Sequence, residues 1–337
     1  MKTFEFIETM EEKRLSYLDY GRVFVAYLVV FGHLLQEDNH IPRYYIYAFH
    51  MPFFFLVSGM LHKFNGKIQW EKYLRTIGVP MLFFNLFFFF IVNPFYFRFV
   101  YGDYPNETFW NTFVLCFPSL WEGLLGTGNL PSGVTWFLLV LLWCKLLQDV
   151  VFCNKKVGWT IFAFLFVVTI GLHITFLWIR NAMMVFPFYY VGCKYKDLIR
   201  KMVFQSNALV YALICLLLLI GLVLLNGRAS VCTVGFGDKT VPFILRVCLF
   251  YMAAFIGSLM MLFVSTRFEN NRAVVFLAKS LITILGMQAI FCDPYRELCE
   301  EGHYEIMIPL AFVILIACSC IHWLITKYAP FLLGKTN

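Results

Sequence analysis

Charge is what this sequence has least of. Asp, Glu, Lys and Arg make up 14% of its 337 residues, where a soluble domain carries about a quarter. That shortage excludes a soluble domain of ordinary size. No Walker loop, HExxH or GxSxG occurs, so P-loop, zincin and nucleophile-elbow chemistries are excluded. The 11 cysteines show no CxxC or Cys/His spacing, and no metal site is expected. Gly235-Phe236-Gly237 follows no strand and opens no nucleotide fold. The charged stretch from Met1 to Arg14 has no small-residue cleavage site, so a cleaved signal peptide is not expected. The net charge of +7 has no basic soluble face to sit on, which argues against a nucleic-acid partner.

What is abundant is apolar surface. The chain is 61% hydrophobic, with a mean hydropathy of +0.74. Ten segments have the ~20-residue length a bilayer needs: 15–35, 44–62, 77–97, 131–148, 157–178, 181–197, 207–226, 241–264, 273–292 and 305–326. With a cytoplasmic N-terminus, 20 of the 27 lysines and arginines fall on the inner side, as the positive-inside rule demands. The expectation is an all-α integral membrane protein of about ten transmembrane helices, with both termini cytoplasmic. It forms one polytopic domain over 1–337, without a soluble C-terminal domain. Two places are irregular. Phe109 to Leu125 is an aromatic stretch interrupted by Pro118, which reads as interfacial or re-entrant. The sixth span contains Pro187, a kink or a broken helix. Most cysteines lie in apolar runs and act as small hydrophobes. Cys116, Cys232, Cys292 and Cys299 map to or near one side, where a disulfide is one option.

An ionisable residue inside a span is expensive and marks a site. Arg22 and His33 both lie in the first span. Eleven positions, about three turns, separate them, so they share one helix face at about 16 Å along the axis. The arginine belongs near a membrane edge and the imidazole nearer mid-depth. Asp19, three residues before Arg22, is a natural ion-pair partner. Histidine can take a proton from a hydroxyl at neutral pH. His50 sits near the start of the second span, towards the outer face, and Ser58-Gly59 are small enough for close helix approach. Lys72 and Arg75 stand three apart at a helix start and could grip phosphate. Trp136, His173 and His322 lie in apolar surroundings. His40, His62 and His303 fall in loops or at edges. Asn106-Glu107-Thr108 is a formal glycosylation sequon.

Together these residues resemble the membrane-bound acyltransferase 3 family. Its first-helix signature is an arginine, ten residues and a histidine, preceded by an aspartate, which Asp19, Arg22 and His33 match. The most specific match is Phe49-His50-Met51-Pro52-Phe53-Phe54-Phe55-Leu56-Val57-Ser58-Gly59. A basic pair three apart follows, usually two arginines and here Lys72 and Arg75. Trp136-Phe137-Leu138, Phe186 to Gly192 and Ala278 to Gly286 resemble later family phrases. The last commonly runs on into a histidine, where this chain has Gln288. The resemblance covers nearly the whole length, and the chain is most similar to short, stand-alone sugar O-acetylases.

The resemblance implies an O-acyltransferase of the bacterial inner membrane, with acetyl-CoA or another acyl-CoA as donor and no permanently bound cofactor. The acceptor it implies is a cell-surface or lipid-linked carbohydrate. It implies catalytic roles for His33, Arg22 and Asp19. Arg22, Lys72 and Arg75 would hold the donor, while His50, Ser58 and Trp136 would contact the acceptor. His33 would act as a base or as a transient acyl acceptor. Ten spans, a proline in a helix and membrane histidines also fit a transporter or flippase of a lipid-linked sugar or small metabolite. No internal repeat mirrors Arg22 and His33, however.

Overall fold

The computed structural model describes residues 2–35, 41–96, 109–126, 128, 130–227, 230, 242–268, 271–295 and 303–335. His40, the Asn106 sequon, Cys232, Gly235–Gly237 and Cys299 lie outside the described residues, as does the Cys116 side chain. Cys292 is buried. Among the described residues, regular structure is helical, apart from an isolated bridge between Leu130 and Gly133.

The main helices are α1 (Lys2–Leu34), α2 (Ile41–Met60), α3 (Trp70–Phe95), α4 (Phe109–Leu125), α5 (Trp136–Cys153) and α6 (Lys155–Gly171). They continue as α7 (Ile179–Val203), α8 (Ala208–Asn226), α9 (Phe243–Ser265), α10 (Arg272–Lys279), α11 (Leu281–Cys292) and α12 (Tyr304–Tyr328). Polar punctuation sets several boundaries. The Asn154 side chain accepts the Val157 N–H at 3.2 Å and starts α6. Asn271 does the same for α10 through Val274, at 2.9 Å. Both satisfy donors that a helix start leaves orphaned.

Helices occupy every expected span, and among the described residues five are long and apolar enough to cross a membrane: α3, α5, α8, α9 and α12. The α10–α11 pair, bent by 75°, makes a sixth where the two helices count as one broken span. The other four expected spans do not meet this length-and-composition measure among the described residues, so the ten-span count is not confirmed, and the reason is physical. Helix α6 stops at 17 residues. Helix α7 carries Arg180, Lys194, Lys196, Asp197, Arg200 and Lys201. Helices α1 and α2 give up apolarity to the polar residues Asp19, Arg22 and His33, and to Arg43, Tyr44, Tyr45, Tyr47 and His50.

Both proline-containing stretches are helical. Helix α4 runs continuously through Pro118. Helix α7 runs 25 residues through Pro187, and its non-helical residue is Tyr195. The sharp break lies instead after Lys279, at fully buried Ser280, whose hydroxyl donates back to the Phe276 carbonyl at 2.9 Å. Such back-bonding competes with the backbone ladder and bends helices.

The chain divides into two compact units. The first contains α1, α2, most of α7, α8, α9, α10 and the start of α12. Its core is aromatic around α2, with Phe53 and Phe55 fully buried. A Cβ at Gly59 would collide with the Tyr189 carbonyl, and one at Gly192 with the Leu56 carbonyl. Helices α2 and α7 therefore cross backbone to backbone, the geometry small residues permit. Gly59→Ala is expected to destabilise the protein by about 1–3 kcal/mol. A thermal midpoint equal to that of the native protein would argue against this crossing.

The second unit contains α3, α4, α5, α6, the start of α7, α11 and the end of α12. Asn85 of α3 donates to Thr135 Oγ1 at 2.9 Å, and Ser132 Oγ donates to the same oxygen at 2.7 Å. All three residues are buried, so this network fixes the turn that launches α5 against α3. His322 is also accounted for here: it bonds the Thr283 hydroxyl through Nδ1 at 2.8 Å.

Candidate active site

The first unit holds Asp19, Arg22, His33, His50 and Ser58, and the second holds Lys72, Arg75 and Trp136.

Asp19 and Arg22 form the expected ion pair on α1. Their side chains are 17% and 27% exposed, so the pair is partly desolvated and stronger than a surface one. One guanidinium arm serves Asp19, while the buried Nε–H of Arg22 has no partner among the described residues. Close packing holds this end of α1. A Cβ at Gly21 would lie 2.8 Å from the Phe53 ring and 2.9 Å from Ser265 Oγ. Tyr17 meets Phe204 edge-on and Tyr20 stacks on Phe268, both at 5.0 Å.

His33 lies in the last turn of α1. There it is half-buried and meets the ring of Tyr47 edge-on at 6.2 Å. The same ring presses on Gly32, where a Cβ would approach it to 2.9 Å. It also meets His50, at 4.7 Å between ring centroids. The structure thus brings His33 and His50 together around one tyrosine. Arg43 lies 4.6 Å from the centre of that ring and donates to the Leu35 carbonyl at 3.0 Å. This clamps the start of α2 to the end of α1. His50 is 5% exposed, and its Nδ1 lies 2.9 Å from the Ile46 carbonyl. A carbonyl can only accept, so Nδ1 carries the proton and Nε2 is the basic nitrogen of neutral His50. Ser58 is half-buried beside the Gly59 crossing.

Tyr47 and Arg43 were not singled out from the sequence. A signal existed, since Arg43, Tyr47 and His50 recur at four and three residues and so share a stripe of α2.

In the second unit, Lys72 and Arg75 are exposed at the start of α3. Lys72 donates to Gln69 Oε1 at 3.1 Å. Arg75 lies within Leu74–Gly78, a widened helical turn of the kind often found at functional sites. A Cβ at Gly334 would strike the Arg75 carbonyl, so the C-terminal turn seats against this segment. Gln69 donates its backbone N–H to Asp149 Oδ2 at 3.0 Å. Asp149 is fully buried and was also missed from the sequence, where it reads as a charge near the end of an apolar run. Trp136 opens α5 and stacks on Trp178 at 5.2 Å with 20° between the ring planes.

No curated protein and no solved structure matches the chain. A family model described as an acyltransferase domain matches residues 15–327, running through both units. With that match over nearly its whole length, the chain belongs to the membrane-bound acyltransferase 3 family.

Proposed function

We propose that the chain is an O-acyltransferase that moves an acetyl or other short acyl group from acyl-CoA to a hydroxyl of a cell-surface or lipid-linked carbohydrate. The observation that carries this reading is the His33–Tyr47–His50 cluster, which places two imidazoles around one ring at the end of the helix that bears Arg22. In the proposed reaction the acceptor oxygen attacks the thioester carbonyl. Its proton passes to His33, and CoA leaves as thiolate and takes up a proton. Transient acylation of His33 is the two-step form of the same chemistry.

Asp19 fixes one arm of the Arg22 guanidinium, and the arginine meets an anionic group of the donor. Lys72 and Arg75 hold phosphates of CoA. His50, Ser58 and Trp136 contact the acceptor. The chain lies in a bacterial inner membrane with both termini cytoplasmic, so the donor arrives from the cytoplasm.

Radiolabelled acetyl-CoA supplied to inverted membrane vesicles tests this reading. Label is expected in a glycan or lipid-linked sugar fraction only when the protein is present. No label with correctly inserted protein would count against acetyl-CoA as donor and move the reading towards transport.

A further inference from the structure

Helix α5 ties two distant features of the second unit to one rod. Near its end, Asp149 holds the start of α3, which carries Lys72 and Arg75. At its beginning, Trp136 stacks on Trp178. Thirteen residues, about 20 Å of helix, separate the two places. The tryptophan pair therefore sits well away from the cations assigned to the donor.

We propose that the stacked indoles of Trp136 and Trp178 form the seat for a pyranose ring of the carbohydrate acceptor. This rests on the acyltransferase reading above and names the place where its second substrate docks.

The loop that delivers Trp178 is strained and firmly held. His173, Leu177 and Trp178 adopt φ of 52°, 49° and 56°, the left-handed region that side chains with a Cβ avoid. Such strain persists only where the surroundings over-determine it, and it clusters at ligand clamps. The restraints are present. The Trp178 indole N–H donates to the Gly123 carbonyl at 2.9 Å. The Trp143 indole donates to the Leu177 carbonyl at 3.1 Å, and the Thr175 hydroxyl to the Leu125 carbonyl at 2.9 Å. An ordinary core tryptophan would not need three side-chain bonds to impose a left-handed backbone.

The chemistry of the pair selects the ligand. The Trp178 N–H is already spent on Gly123, so what this ring has left to offer is a π face. Both rings are only half-buried. An indole face is electron-rich and attracts polarised C–H groups. A pyranose presents such groups on one face and hydroxyls around its edge. An extended acyl chain would want a deep apolar slot instead, and CoA would want cations. The half-open stack suits a neutral sugar ring.

Saturation-transfer NMR on the full-length protein in nanodiscs tests the seat. The probes are methyl β-D-glucopyranoside, methyl β-D-galactopyranoside and methyl N-acetyl-β-D-glucosaminide. Saturation is expected at ring C–H protons of at least one probe. Trp178→Ala should weaken it about tenfold, and Trp178→Phe or Trp136→Phe only about two- to threefold, because a smaller π face remains. The phenylalanine variants guard against a fold defect in the alanine variant. No saturation with any probe on native protein, or an equal signal in Trp178→Ala, overturns the proposal. Acceptor-free release of CoA from acetyl-CoA is measured alongside on the native protein. If native protein binds the probes in a Trp178-dependent way but never turns over acetyl-CoA, the sugar seat stands and the acyltransferase reading falls.

Discussion

Replacing His33 with alanine is expected to lower acyl transfer by about 10²–10⁴-fold, the range a general base or its loss commands. The protein should still insert and unfold at a similar temperature, because His33 is half-buried in the last turn of α1 rather than packed in the core. The role is separable from that of Tyr47. The Tyr47 ring lies against Gly32, His33 and His50 at once, so its shape sets where the imidazole points. Tyr47→Phe preserves the ring, and within this account kcat should hold to about threefold, well inside the range for loss of a base. Tyr47→Leu removes the planar edge and should reduce kcat while leaving the KM for the donor unchanged. The paired assay is steady-state transfer from acetyl-CoA in vesicles of matched protein content. Full activity in His33→Ala would remove His33 from the chemistry. A Tyr47→Phe variant as inactive as His33→Ala would shift the proton-transfer role to the phenol.

The separation of Arg22 from His33 was legible because it is local. Helical spacing alone places both on one stripe, and the Asp19–Arg22 pair follows from a separation of three. The far end of the first helix was legible too: the apolar run predicts a span over 15–35, and α1, although it starts earlier at Lys2, ends at Leu34. The break after Lys279 carries no proline, so composition gave no warning; it depends on a serine hydroxyl turning back on its own helix. Pro187 gave the opposite warning, yet α7 passes through it, since one missing N–H is a tolerable loss where neighbouring helices pack closely. Asp149 and Trp178 were invisible for a different reason. Their partners, Gln69 and Trp136, lie 80 and 42 positions away, and no periodicity reaches that far.

Asp149 gives the second large expected effect, and it acts through other residues. Its carboxylate is fully buried and accepts the Gln69 backbone N–H at 3.0 Å. Gln69 in turn accepts from Lys72 at 3.1 Å and donates its side-chain amide to the Lys63 carbonyl at 2.9 Å. Asp149 therefore fixes the end of α3 from which Lys72 and Arg75 project. Replacing both cations, as Lys72→Gln with Arg75→Gln, removes two charge-assisted contacts, each worth about 1.5–3 kcal/mol. The KM for acetyl-CoA should rise by about tenfold or more, with the KM for the acceptor unchanged. Asp149→Leu leaves a buried backbone N–H without its acceptor, which costs about 1–3 kcal/mol of stability, and it lets the start of α3 shift. It should raise the donor KM in the same direction. If Asp149 acts only by positioning the cations, adding Asp149→Leu to the Lys72→Gln, Arg75→Gln protein should raise the donor KM no further, because coupled residues are not additive. A further rise equal to that of Asp149→Leu alone would mean the carboxylate affects the donor by another route. An unchanged donor KM in the cation variant would remove Lys72 and Arg75 from phosphate binding altogether.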